Sequence, residues 1–191
     1  MSTNSVVAYL NEDGSVVSSY VHYDGYETGV GMMLLEHYNT DKCARDLAST
    51  LGYASSLSET VAESHADRVH TDEPETFESM EEFETYLMDN SHLEFGYLWT
   101  GGKWMVASWT TTVEGTGPYA EYNSTWNGFA WLVTSFVRSG RKTVDRFRDL
   151  ALEDNREGRN EYDEFADEME VLVDKWHRYG MGEIASEAMA A

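Results

Sequence analysis

The stretch from Leu93 to Thr110 constrains the fold more than any other part of the chain. Leu93, Phe95, Tyr97 and Trp99 alternate with their neighbours at the period-two spacing of a half-buried strand. Gly101-Gly102 then offers a tight two-residue turn, and Lys103 to Thr110 reads as the returning strand. A second hairpin is predicted upstream, from Ser5 to Leu10 and from Ser15 to Tyr23 around the turn Asn11-Glu12-Asp13-Gly14. The two hairpins predict a small antiparallel sheet of about four strands, which must lay its apolar side on helices.

Helices are predicted between and after the hairpins. One runs from about Thr28 to Tyr38, and a second, Asp41 to Leu51, follows a stop and cap at Asn39-Thr40. Gly52 to Asp72 reads as a loop with a helical turn. Ser79-Met80-Glu81-Glu82 is a capping box, and Met80, Phe83 and Leu87 share one face of the helix it opens, Ser79 to Leu87. Val113 to Asn127 reads as a Gly-containing connection, followed by three helical segments. The first passes through Phe129, Leu132, Val133 and Phe136 and ends near Gly140. The second carries Val144, Phe147 and Ala151. The third places Tyr162, Phe165, Met169, Leu172, Trp176 and Tyr179 at steps of three and four, a seam that packs on the rest of the protein or on a second copy. The expected architecture is α+β, with a core domain over 1–112 and a helical C-terminal extension over 113–191.

Charge decides which partners are open to such a fold. Thirteen Lys and Arg face thirty-five Asp and Glu, a formal net charge of −22. That field repels nucleic acid, whose binding depends on basic side chains neutralising phosphates, and it repels anionic membrane surfaces. It suits a basic partner, such as a cation or a host protein with a basic surface, and it also serves solubility alone. With 41% hydrophobic and 13% aromatic residues the acidity does not imply disorder. Asp72 to Glu94 holds nine acids and no base, whereas Arg138 to Arg148 holds five bases and one acid, a run that pairs with acidic helices or holds a small anion. The two acidic helices offer Glu81 and Glu82, and Glu164, Asp167, Glu168 and Glu170, as partner-binding candidates. Cys43 stands alone, so an internal disulfide is excluded. The first residues carry no signal-peptide pattern, and the longest apolar stretch, around Gly128 to Val137, is too short for a bilayer. The expected location is the cytoplasm, where the acceptor triplet Asn123-Ser124-Thr125 would carry no sugar.

No phosphate loop, nucleophile elbow or zinc-helix motif is present, and no cofactor is implied. Two local clusters carry chemically useful groups. His22, Asp24 and Tyr26 offer a His–Asp pair for a general base or a set of contacts for a polar ligand; the same residues equally make a turn locked by Asp24, with Gly25 supplying the backbone angle. His65, Asp67, His70 and Asp72 are suitable ligands for a divalent ion. Two His five apart do not share a helix face, so a loop would have to gather them, and the cluster serves equally as a solvated polar loop.

Val21-His22-Tyr23-Asp24-Gly25-Tyr26, then Val30-Gly31, Leu34-Leu35 and Tyr38-Asn39, resembles a group of uncharacterised tailed-bacteriophage proteins with His-Trp-Asp-Gly-Tyr-Pro, Val-Gly, Leu-Leu and Tyr-Asn in that order. A leucine–serine patch (Leu47, Leu51, Ser55, Ser56, Leu57) and the aromatic hairpin from Tyr97-Leu98-Trp99 to Gly102-Lys103-Trp104 extend the resemblance. It covers residues 5–58 and 93–107, with Tyr23 in place of Trp and Glu27 in place of Pro. It implies an accessory protein in the cytoplasm of an infected bacterium, and no reaction.

The expected function is binding rather than catalysis. The leading form is a phage-encoded protein that engages a host protein through acidic surfaces, at its sharpest as a nucleic-acid mimic inhibiting a defence or DNA/RNA-handling enzyme. The alternative is a binder of a small polar molecule around His22, Asp24 and Tyr26. The third is a metal-dependent hydrolase using the His65 to Asp72 cluster.

Overall fold

The computed structural model describes residues 2–66, 72–114, 121–153 and 161–183. They divide into two compact units, one ending at Trp131 and the other beginning at Leu132.

The first unit holds one seven-stranded mixed sheet. Its strands are β1 (Asn4–Leu10), β2 (Val16–Val21), β3 (Tyr53–Ala54), β4 (Glu75–Phe77), β5 (Leu93–Thr100), β6 (Lys103–Glu114) and β7 (Glu121–Trp131). The path runs β3-β2-β1-β5-β6-β7, with β4 also on β2. Both predicted hairpins form. Thr100 pairs with Lys103 across Gly101 (φ 58°) and Gly102 (φ 75°), the two positive-φ positions a two-residue turn of this type requires.

The sheet is larger than two antiparallel hairpins because β1 and β5 pair in parallel, Ser5 opposite Phe95 through Tyr9 opposite Trp99, and so fuse them. The long connection this demands is α1 (Met32–His37) after a π-helical turn at Glu27–Gly31, α2 (Asp41–Thr50), α3 (Val61–Ala66), β4 and α4 (Met80–Asp89). The central strands are accordingly buried on both faces. Val6, Ala8, Val16, Leu93 and Leu98 pack with Phe77, Phe83 and Leu87 on the α4 side. On the other side Tyr97 donates to the Gly25 carbonyl at 2.8 Å, Trp99 donates to Asp41 at 3.2 Å, and Trp104 donates to the Tyr38 carbonyl at 3.1 Å. A register shift between Asn4 and Ser5 carries Leu93 out of the row of Phe95, Tyr97 and Trp99 into the α4 core.

The capping predictions hold. Thr40 accepts from the Cys43 N–H at 3.3 Å, and Ser79 accepts from Glu82 N–H at 3.2 Å while the Glu82 carboxylate accepts from Glu78 N–H at 2.6 Å. Within the expected connection from Val113 to Asn127, the described residues are strand instead: β6 extends to Glu114, and β7 pairs with it from Glu114 opposite Glu121 to Met105 opposite Trp131. Trp109 against Trp126 and Phe129 against Phe83 supply the packing that overrides the Asn and Gly in this segment.

Among the described residues the second unit contains two helices, where three were expected from Phe129 onward: α5 (Leu132–Glu153) and α6 (Glu161–Gly180). Gly140 does not end α5. It is buried mid-helix where a side chain would run into Val173 of α6, so close approach of the helices explains it better than a terminus. Phe129, expected on the first helix, belongs to β7. The α6 seam packs against α5, with Phe147 lying on Phe165 and Tyr162 at ring separations of 4.4 and 5.9 Å. Ala166, Met169, Val173 and Trp176 are its buried residues, a stripe rotated slightly from the predicted one.

Candidate functional site

The outer edge of β2 changes partner partway along its length. Val16, Val17 and Ser18 pair antiparallel with Phe77, Thr76 and Glu75 of β4. Tyr20 and Val21 pair in parallel with Tyr53 and Ala54 of β3. Neither short strand continues past the other, and where they part a cleft of about 280 Å³ opens, lined by Val6, Ser18, Tyr20, Gly52, Tyr53, Asp72, Glu73, Glu75 and Tyr86.

Its lining is aromatic and acidic. Tyr20 and Tyr53 stack with ring centroids 5.5 Å apart. Tyr86, carried by α4 and leaning on Phe77 at 4.9 Å, contributes the third phenol. Burial, then the nearby Glu75 carboxylate that its hydroxyl bonds, raise the Tyr86 phenol above its ordinary range. Burial and then Tyr53 raise Tyr20 likewise. Both stay neutral near neutral pH, so the negative charge of the cleft comes from Asp72, Glu73 and Glu75. The aromatic row continues outward: the His22 ring lies 6.4 Å from Tyr53, and Tyr23 meets His22 edge-on at 4.4 Å. Tyr23 is 48% exposed, so the row ends in solvent.

Of the predicted ligand trio, only His22 borders this row. Its Nδ1 hydrogen-bonds the Tyr20 hydroxyl at 3.0 Å, whereas Asp24 accepts from Tyr26 at 3.1 Å, so imidazole and carboxylate do not bond each other. β2 stops at Val21, and the alternation that would have put His22 and Asp24 on one side stops with it. Asp24 itself takes the positive φ of 58°, the role expected of Gly25. Asp tolerates that conformation better than most side chains. Gly25 is needed for a different reason: its N–H donates to the Thr3 carbonyl at 2.8 Å, and a Cβ there would lie 2.6 Å from that oxygen and 2.9 Å from the Ser5 Cβ. The Asp24 carbonyl accepts from Val30 N–H at 2.7 Å, closing the turn onto the start of the helices. The motif that carries the phage resemblance is thus a lock between β2, β1 and β5.

The other candidates are dispersed. Glu82 is occupied by its cap, and Glu81 is exposed beside it. Asp167 and Glu170 pair with Arg148 of α5, with Asp163 alongside at 3.6 Å, which leaves Glu164 and Glu168 as the exposed acids of the α6 set. The basic run does pair with an acidic helix, through Arg148. His65 bonds the Thr50 carbonyl at 2.9 Å, Asp72 lines the cleft, and Asp67 and His70 lie outside the described residues. Among the described residues no group of three or more His, Cys, Asp or Glu is placed to hold a metal ion.

The chain matches no family model, no curated protein and no solved structure. Among its described residues no helix is long and apolar enough to cross a membrane.

Sequence reading did not single out Tyr20, Tyr53, Tyr86, Glu73 or Glu75 as site residues. They come from four segments that only the sheet edge gathers. The signals available were the acidic run from Asp72 and the abundance of tyrosine.

Proposed function

We propose that this chain is a binding protein for a positively charged partner, and that the cleft on the β2 edge holds a cationic side chain of that partner. The observation that carries this is the union of three tyrosines and three carboxylates around one small opening. Carboxylates draw a cation in, and tyrosine faces hold it by cation–π attraction worth about 0.5–2 kcal/mol per ring. At about 280 Å³ the cleft lies just below the range typical of drug-sized ligands and suits a single guanidinium or ammonium group. The wider field of a chain with net charge −22 steers such a partner toward the protein.

The resemblance to tailed-phage proteins supports a host-cell protein with a basic surface as the partner. Inhibition by nucleic-acid mimicry is the sharper form of this function. It would use the exposed acids Glu164 and Glu168 of α6, since Arg148 already occupies Asp167 and Glu170 beside them. A small polar or amine ligand at the same cleft is the second form, favoured by the row of His22 and Tyr23 leading into it.

Capture from bacterial lysate at graded salt tests the host-protein form, with Glu73→Gln/Glu75→Gln compared against Glu164→Gln/Glu168→Gln. Both pairs remove the same charge. A host protein retained by wild type and by the α6 pair, but lost with the cleft pair, is the expected result. Equal loss from both pairs would reduce the acidity to a general field.

A further inference from the structure

The register of the sheet lays out the cleft on β2 in two rows. Val6, Tyr20 and Tyr53 stand opposite one another across β1, β2 and β3. Two residues along β2, Ser18 faces Glu75 of β4. Residues two apart in a strand share a face, so all five lie on one side of the sheet. It is the side on which Val6 packs with Phe83 and Leu87 of α4, and the same helix brings Tyr86 to the cleft. The cleft is therefore backed by apolar and aromatic surface: Val6 is buried, and the Tyr20 and Tyr53 rings stack in its row.

Two of the three phenols already have partners. The Tyr20 hydroxyl bonds His22 Nδ1 at 3.0 Å, and the Tyr86 hydroxyl donates to the Glu75 carboxylate. Ring surface and negative charge are thus better supplied here than unengaged hydrogen-bond acceptors. Cations differ in which of these they need. A lysine ammonium carries three N–H donors and an arginine guanidinium five. Each donor gives up water on entering, and one left without an acceptor is costly. A trimethylammonium group carries the same charge with no donor at all, and its methyl groups rest on ring faces, where cation–π attraction acts.

We infer, resting on the reading of this cleft as a cation site, that its preferred occupant is a trimethylammonium group, carried by a methylated lysine or by a free quaternary amine, over unmodified lysine or arginine. Tyr20, Tyr53 and Tyr86 supply the rings, Val6 receives a methyl group, and Glu73 and Glu75 balance the charge without having to meet an N–H. A cleft of about 280 Å³, just below the usual range for drug-sized ligands, is on the scale of one such head group.

Calorimetric titration of the full chain tests it with four probes: blocked lysine, blocked trimethyl-lysine, choline, and the uncharged analogue of trimethyl-lysine that ends in a tert-butyl group. Trimethyl-lysine should bind more tightly than lysine by a factor of about 2–30, the scale of one cation–π contact. The tert-butyl analogue, equal in shape but without charge, should bind at least several-fold more weakly than trimethyl-lysine. Tyr86→Phe keeps the ring and releases Glu75 from its bond, so it should narrow the ratio by strengthening the binding of lysine. Tighter binding of trimethyl-lysine than of choline makes a modified protein the source of the group, and the reverse order makes it a free amine. Lysine binding as tightly as trimethyl-lysine would overturn the preference and leave the cation site standing. A tert-butyl analogue that binds as well as trimethyl-lysine would also overturn it, by reducing the cleft to an apolar pocket. Failure of every cation to bind would remove the cation site itself.

Discussion

Replacing Gly25 with alanine should destabilise the sheet-bearing unit by about 2–3 kcal/mol, the upper part of the range for inserting a methyl where the surroundings cannot give way. The added Cβ would meet the Thr3 carbonyl oxygen at 2.6 Å, the Ser5 Cβ at 2.9 Å and the Asn4 carbonyl carbon at 3.0 Å. Those atoms belong to β1 or lead directly into it, and β1 is clamped between β2 and β5, so relief must come from moving the turn. Moving the turn lengthens the Gly25 N–H bond to Thr3 and pulls the Gly25 carbonyl from the Tyr97 hydroxyl, a buried 2.8 Å bond. Tyr97→Phe alone removes that second bond and should cost about 1–1.5 kcal/mol. Because Gly25→Ala already weakens the same bond, the double variant should cost less than the sum by roughly 0.5–1 kcal/mol. Urea unfolding followed by tryptophan fluorescence measures all three. A Gly25→Ala cost under about 0.5 kcal/mol, or strict additivity, would refute the lock and return the motif to the functional reading of its His, Asp and Tyr.

The Asp41 carboxylate accepts from both the Tyr9 hydroxyl at 2.8 Å and the Trp99 indole, tying the first turn of α2 to two strands. Asp41→Ala should therefore cost about 1–2 kcal/mol in the same assay, with water replacing part of the loss because the carboxylate is largely exposed. Alkaline pH probes the buried phenols. Burial holds Tyr97 well above the ordinary value of 10.0, so the folded state keeps a proton that the unfolded chain releases. Stability is then fully present below about pH 10 and falls as pH rises past it, by up to about 1.4 kcal/mol per pH unit for each such tyrosine. A pH series of urea midpoints should show this fall, and Tyr97→Phe should make it shallower by close to one proton.

The local parts of this fold were readable because neighbouring residues dictate them. Gly101-Gly102 admits the positive φ pair of its turn, Ser79 with Glu82 and Thr40 cap the helices they precede, and the α6 seam follows helical spacing. What escaped depends on residues far apart in sequence. Nothing within Asn4–Leu10 or Leu93–Thr100 announces that the two run parallel, and the resulting double-sided burial replaces the half-exposed strand that alternation implied. β7 was hidden by Asn123, Asn127 and Gly128, poor strand formers that pairing with β6 overrides. Gly140 resembles a helix stop until α6 is seen to need the space. The cleft was unreadable for the same reason: Tyr20, Tyr53, Glu75 and Tyr86 meet only because β3 and β4 share one edge of β2. The His22 to Tyr26 motif was conspicuous, and it forms a tight turn in which Asp24, not Gly25 as expected, takes the positive φ.

The most direct test of the cleft is a calorimetric titration with a blocked peptide carrying a single arginine, compared among wild type, Tyr53→Leu, Glu75→Gln and Glu164→Gln. Tyr53→Leu keeps the net charge and removes one aromatic face, so it should weaken binding by a factor of about 2–30, the equivalent of one cation–π contact. Glu75→Gln should weaken it as well, and Glu164→Gln, which removes the same charge from α6, should leave it nearly unchanged. Equal weakening by the two glutamine variants, with none from Tyr53→Leu, would show that the peptide feels only the overall charge and would contradict the cleft.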